Sequence, residues 1–189
     1  MEEVVYRGVL FGTLEDGLGS TAAMWLQSLV FAAMHLSNAP ASHMELATTM
    51  VAGTLIGALW TALYAWTRSL WVVTAHHAGW NFAIILTGLP LSGIDDWRAL
   101  APLESAYRGP AWLTGGVFGP EDALVCLGVV ALSLVVFIRL AKRSGRWFPA
   151  GFRRGMAGAT GPAPGPASAR ACVVPAPHPP FDGWTTPFR

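Results

Sequence analysis

Between Asp16 and Asp95 the only formally charged residues are Glu45 and Arg68, so the 78 positions from 17 to 94 hold two charges. Charged residues make up about a quarter of an ordinary soluble domain, and no water-facing surface can be built from so long a stretch with so few. The chain therefore reads as a membrane protein. Composition agrees, with 53% hydrophobic and 12% charged residues among 189. The formal net charge of +1 offers no basic face for phosphates, which excludes nucleic acid as a partner. Cys126 and Cys172 form no CxxC spacing and read as bystanders. The opening Met1-Glu2-Glu3-Val4-Val5-Tyr6-Arg7 begins with acids and lacks the basic start of a secretory signal.

A helix that crosses a bilayer needs roughly 20 mostly apolar residues. Leu46 to Thr67, Leu70 to Leu91 and Ala123 to Ala141 meet that requirement, and Thr21 to Leu36 is a shorter fourth candidate. Val4 to Leu14 reads as the end of a helix, broken by Gly17-Leu18-Gly19-Ser20, after which Ser20 or Thr21 is placed to cap the next. Gly53 and Gly57 form a GxxxG step, read as close helix packing. The expected architecture is all-α: a polytopic transmembrane helical bundle over residues 1–143, followed by a disordered, basic, Pro/Gly/Ala-rich tail over 144–189.

Lys and Arg are retained on the cytoplasmic side of spans. From Arg139 to Arg170 there are basic residues and no acid, which puts the C-terminus in the cytoplasm, and the acid-rich loop from Leu91 to Asp122 outside. Arg68 then occupies a tight cytoplasmic turn, and Trp97 and Trp112 rest at the interface.

Polar groups within spans are costly and serve as functional hypotheses by default. Glu3 and Arg7 lie four apart on one helical face, in the order that favours an ion pair, while Glu2 projects about 100° away. Phe31 and His35 are also four apart, with Gln27 one turn earlier, and so are His77 and Asn81. Taken singly these have plain readings: a solvated terminus for Glu2 and Glu3, a capping or interfacial residue for His35. His76 faces away from His77 and reads as packing or interfacial, and His43 and His178 as solvated. Together, a carboxylate, two imidazoles and a carboxamide on three apolar segments supply what amide hydrolysis needs, a base for water and donors for the oxyanion. With no Ser or Cys beside an evident base, attack by water is favoured over a covalent intermediate.

Glu-Glu-x-x-x-Arg (Glu2, Glu3, Arg7), Phe-x-x-x-His (Phe31, His35) and His-x-x-x-Asn (His77, Asn81), in this order on successive apolar segments, resemble the CPBP intramembrane protease family. That family holds the CAAX prenyl endopeptidases and the bacteriocin-processing or self-immunity (Abi) proteins. Trp80-Asn81-Phe82 and Leu113 to Glu121 also look like its bacterial members, and the resemblance spans about residues 1 to 141. It implies a CAAX protease-like endopeptidase of the metalloprotease type, in a bacterial cytoplasmic membrane, acting on a peptide or a lipidated protein with the lipid bilayer as its other partner. Glu2 and His35 are then catalytic and hold and activate the water. His77 and Asn81 stabilise the oxyanion, while Glu3, Arg7 and Phe31 support. A divalent metal such as zinc is a cofactor expectation, with Glu2, His35 and His77 as ligands and a fourth position for water. Family members carry several spans ahead of the Glu-Glu pair, so the pattern at residue 2 leads to the expectation of an N-terminally incomplete copy. The competing reading is a non-catalytic membrane protein of the same fold, such as a self-immunity factor or scaffold. A small transporter finds no inverted repeat to support it.

Overall fold

The computed structural model describes residues 1–36, 42–94, 96–106, 108–116 and 118–151. The expectations for His178, Cys172 and most of the Pro-rich tail fall outside the described residues. Val4–Phe11 is a π-helical run that continues into α1, Gly12–His35. The chain then forms α2, His43–Thr67, and α3, Leu70–Leu86. A long connection follows, carrying a 3-10 turn at Asp96–Leu100, the four-residue α4 at Ala111–Thr114 and a second 3-10 turn at Pro120–Asp122. It leads into α5, Leu124–Arg143. Three helical stretches, Val4–His35, His43–Thr67 and Leu124–Arg143, are long and apolar enough to cross a membrane, and α3 is a shorter apolar helix.

The sequence-expected break is real and falls on Gly19, whose φ of 77° interrupts α1. Glycine is needed there twice over, since a Cβ would also stand 2.6 Å from the backbone of Ala150. Ser20 does not cap the following helix in the expected way. Its hydroxyl donates to Glu15 at 2.5 Å and accepts from the Phe148 amide at 2.8 Å.

The two charges of the long uncharged stretch each have a structural post. Glu45 completes a capping box with Ser42 at the start of α2. Arg68 ends α2 in the left-handed conformation and reaches Glu15 with both guanidinium nitrogens, at 2.6 and 2.9 Å. α2 is the axis of the bundle, packed by α1 on one side and α5 on the other. Gly53 and Gly57 let α1 come close: a Cβ on Gly53 would lie 3.0 Å from that of Ala32, and one on Gly57 3.2 Å from Ser28 and from Phe31.

Two boundaries differ from the sequence expectation. The run Leu70 to Leu91 is not one helix: α3 stops at Leu86, and Gly88 in a positive-φ conformation and Pro90 turn the chain. Residues after Arg143 do not leave the bundle at once. Arg146 donates to the Trp66 carbonyl, Trp147 to Thr21 and Gly151 to the Gly17 carbonyl, so packing against the helices continues as far as Gly151.

Candidate active site

Glu3, 4% exposed, and Arg7, fully buried, are held at the start of the π-helical run, a rare geometry met mainly at functional sites. The expected ion pair forms, with Arg7 Nη1 donating to Glu3 Oε1 at 2.9 Å. Arg7 Nη2 donates to the Gly57 carbonyl at 3.1 Å. Its guanidinium lies 4.9 Å from the Phe31 ring centre and 5.4 Å from that of Trp60, so aromatic faces replace much of the lost water.

The same Glu3 oxygen also meets His77, whose Nδ1 stands 2.7 Å away. A carboxylate only accepts, so this bond makes Nδ1 the donor and leaves Nε2 for other partners. Nε2 lies 3.8 Å from Glu2 Oε2. Trp60 stacks on the His77 ring at 3.8 Å and is itself pinned by its indole N–H, which donates to His76 Nδ1 at 3.0 Å. His76 therefore has the packing role its orientation suggested. His35 resolves in a similar way: its Nδ1 donates to the Phe31 carbonyl at 2.8 Å, which leaves its Nε2 unprotonated in the neutral ring. Phe31 lies against that ring at 4.4 Å and meets Trp60 edge-on at 5.9 Å.

Glu2, His35, His77 and Asn81 line one cavity of about 290 Å³. They come from the N-terminal turn, the end of α1 and the middle of α3, so residues up to 79 positions apart meet. The cavity's apolar wall includes Ile56, Leu91, Ile94 and Phe118, and Trp97, expected at the interface, also lines it. Gln27 points elsewhere: it is buried and accepts from Thr61, in the seam between α1 and α2.

Zinc held by Glu2, His35 and His77 was the cofactor expectation, and all three residues line the cavity. A structural or catalytic zinc needs three protein donors converging on one point. Among the described residues no three His, Cys, Asp or Glu side chains are grouped to hold an ion. His77 Nδ1 donates to Glu3 and His35 Nδ1 to the Phe31 carbonyl, the outer bonds that metal-binding histidines make, which leave Nε2 of each neutral ring unprotonated.

Several neighbours of the site were not singled out from sequence. Glu121, 3% exposed, lines the same cavity and accepts from Trp80 Nε1 at 3.1 Å and from the Ser92 amide and hydroxyl at 2.7 Å each. An acid in a Gly-Pro-Glu-Asp loop offers no periodicity by which to place it. The adjacency of Trp80 and Asn81 was the available hint. Close by, burial pushes the Asp122 carboxyl up to about 6, helped by the neighbouring Glu121 charge and opposed by hydrogen bonds from Thr48 and Thr49.

No curated protein and no solved structure matches the chain. Residues 1–83 match the family model described as Type II CAAX prenyl endopeptidase Rce1-like, a segment that carries all three polar spacings. Over that segment the chain is similar to the Rce1-like type II CAAX prenyl endopeptidases.

Proposed function

We propose that this chain is an intramembrane endopeptidase that hydrolyses a peptide bond in a membrane-associated or lipidated peptide by direct attack of water. The observation that carries this reading is the convergence of Glu2, His35, His77 and Asn81 on one partly apolar cavity. Glu2 takes a proton from a water that also donates to His35 Nε2, and the hydroxide adds to the scissile carbonyl. The Asn81 amide donates to the developing oxyanion, joined by His77 Nε2–H when the ring is charged. The proton on Glu2 then passes to the departing amine. Glu3 touches no substrate atom in this scheme; it fixes the His77 ring while Arg7 balances its charge. Every step of this scheme uses side chains of this chain alone.

The basic residues Arg68, Arg143 and Arg146 gather at the end of the bundle remote from the cavity, which supports a cytoplasmic C-terminus. The test is cleavage of acylated fluorogenic peptides by the purified chain in liposomes. Glu2→Gln and His35→Ala are each expected to lower kcat about 100-fold or more, and Asn81→Ala about 100-fold. Unchanged turnover in the first two variants would sink the mechanism, and peptide binding with no cleavage by the unaltered chain would favour the non-catalytic reading.

A further inference from the structure

Glu121 is a buried carboxylate on the cavity wall for which the hydrolytic scheme has no use. Its bonds join two segments distant in sequence. Oε1 takes the Trp80 indole, on α3 beside Asn81, and Oε2 takes both donors of Ser92. Its three donors are neutral groups, so it forms no ion pair with them. What they hold is specific. Leu91 and Ile94 exchange backbone hydrogen bonds at 3.1 and 2.9 Å around Ser92 and Gly93, whose φ values are 49° and 79°. Two central residues at positive φ are the pattern of a type I′ turn, which Gly93 adopts freely and Ser92 does not. Glu121 accepts both polar hydrogens of the residue that resists the turn. The clasp is reinforced by the Gly93 amide donating to the Phe118 carbonyl at 2.9 Å. Gly119, at φ 110°, lies so close to the Pro90 carbonyl that a Cβ would stand 2.1 Å from it.

Leu91, Ser92 and Ile94 line the cavity that Glu2 and His77 also line. We propose that Glu121 is a specificity-determining positioning residue: by clasping the Leu91–Ile94 turn it fixes one apolar wall of the cavity and so sets the size of substrate side chain accepted beside the scissile bond. The proposal rests on the proteolytic reading for its catalytic consequence, and its binding consequence stands apart from it.

Glu121→Ala removes all three bonds. Glu121→Gln keeps an oxygen for Ser92 but turns an amide N–H toward the Trp80 indole, so it frees α3 and spares the turn. Ser92→Ala removes only the hydroxyl bond and leaves Glu121 on Trp80.

The experiment uses acylated peptides identical except for Ala, Leu or Trp after the scissile bond, together with the same series carrying a reduced, uncleavable bond. Binding of the second series is read from tryptophan fluorescence. The unaltered chain is expected to favour Leu over Trp by about tenfold in kcat/KM and in affinity. Glu121→Ala and Ser92→Ala should compress this preference below about threefold, and Glu121→Gln should leave it within about twofold of the starting value. If Glu121→Ala does not fold, Ser92→Ala decides alone. A uniform loss for all three side chains, as a purely structural role predicts, overturns the proposal, as does absence of graded binding by the unaltered chain. Graded binding that Ser92→Ala flattens, without cleavage of any peptide, would uphold the clasp and reject the protease.

Discussion

A single oxygen, Glu3 Oε1, accepts from Arg7 and from His77, so the ion pair legible from the i, i+4 spacing is half of a three-membered arrangement. The other half was illegible because it spans 74 residues, and no local pattern encodes which acid a distant histidine will meet. Removing one member of such a buried set leaves an uncompensated charge, a loss of about 3 to 5 kcal/mol in comparable cases. Asp122 presents a different kind of residue-scale problem. Its Oδ1 is buried without a partner, and its folded-state pKa of about 6 lies above the ordinary value of 3.8. The folded protein therefore binds this proton more tightly than the unfolded one does. That contribution to stability is complete below about pH 4 and is lost as pH rises through about 6. Asp122→Asn should raise the thermal midpoint by about 2 to 4 °C at about pH 7.5, because partial exposure of the group limits the gain to about 1 kcal/mol. The difference should vanish near pH 4, as midpoints measured across that range in detergent will show.

At the level of the helices, hydropathy located the long apolar segments but misjudged where one of them ends and how far the chain stays packed beyond the last. The run through Ile84, Ile85 and Leu86 stays apolar as far as Leu91, yet Gly88 and Pro90 are a stop signal that outranks a hydropathy window. The stretch after Arg143 has the composition of a tail, but Arg146, Trp147 and Phe148 find partners on α1 and α2 that composition cannot reveal. The GxxxG step was fully legible, since small residues one turn apart have a single common use in such a helix. It also leaves the Gly57 carbonyl open to Arg7, which ties the helix seam to the site. A side chain at Gly57 would press on Phe31 and Ser28. Gly57→Leu is expected to destabilise the bundle by about 2 kcal/mol or more, measured by denaturant unfolding in micelles. Gly128→Leu on α5, where nothing lies within 4 Å of the added Cβ, should be near neutral.

Considered whole, the molecule separates its polar groups to opposite ends. At one end Arg68 and Ser20, both bonded to Glu15, bind the Arg146–Phe148 segment over the Gly19 break, and at the other lies the cavity with its loop walls. The uncharged stretch made the membrane legible, and the ordered spacings picked out the residues that line the candidate site. The walls remained hidden because loops are positioned by long-range bonds that no local pattern encodes. The early end of α3 has a consequence for the surrounding lipid. Seventeen residues at about 1.5 Å each extend about 25 Å, some 5 Å less than a typical hydrocarbon core. Where α3 crosses the bilayer, lipid beside it would thin or the helix would sink, and either response would bring headgroups and their water toward His77 and Asn81. Local thinning of this kind would deliver the attacking water without a channel through the bundle. Peptide cleavage should then be several-fold faster in liposomes of short-chain phosphatidylcholine than in long-chain ones, with reconstituted protein amounts matched, because the thicker bilayer opposes that inward pull.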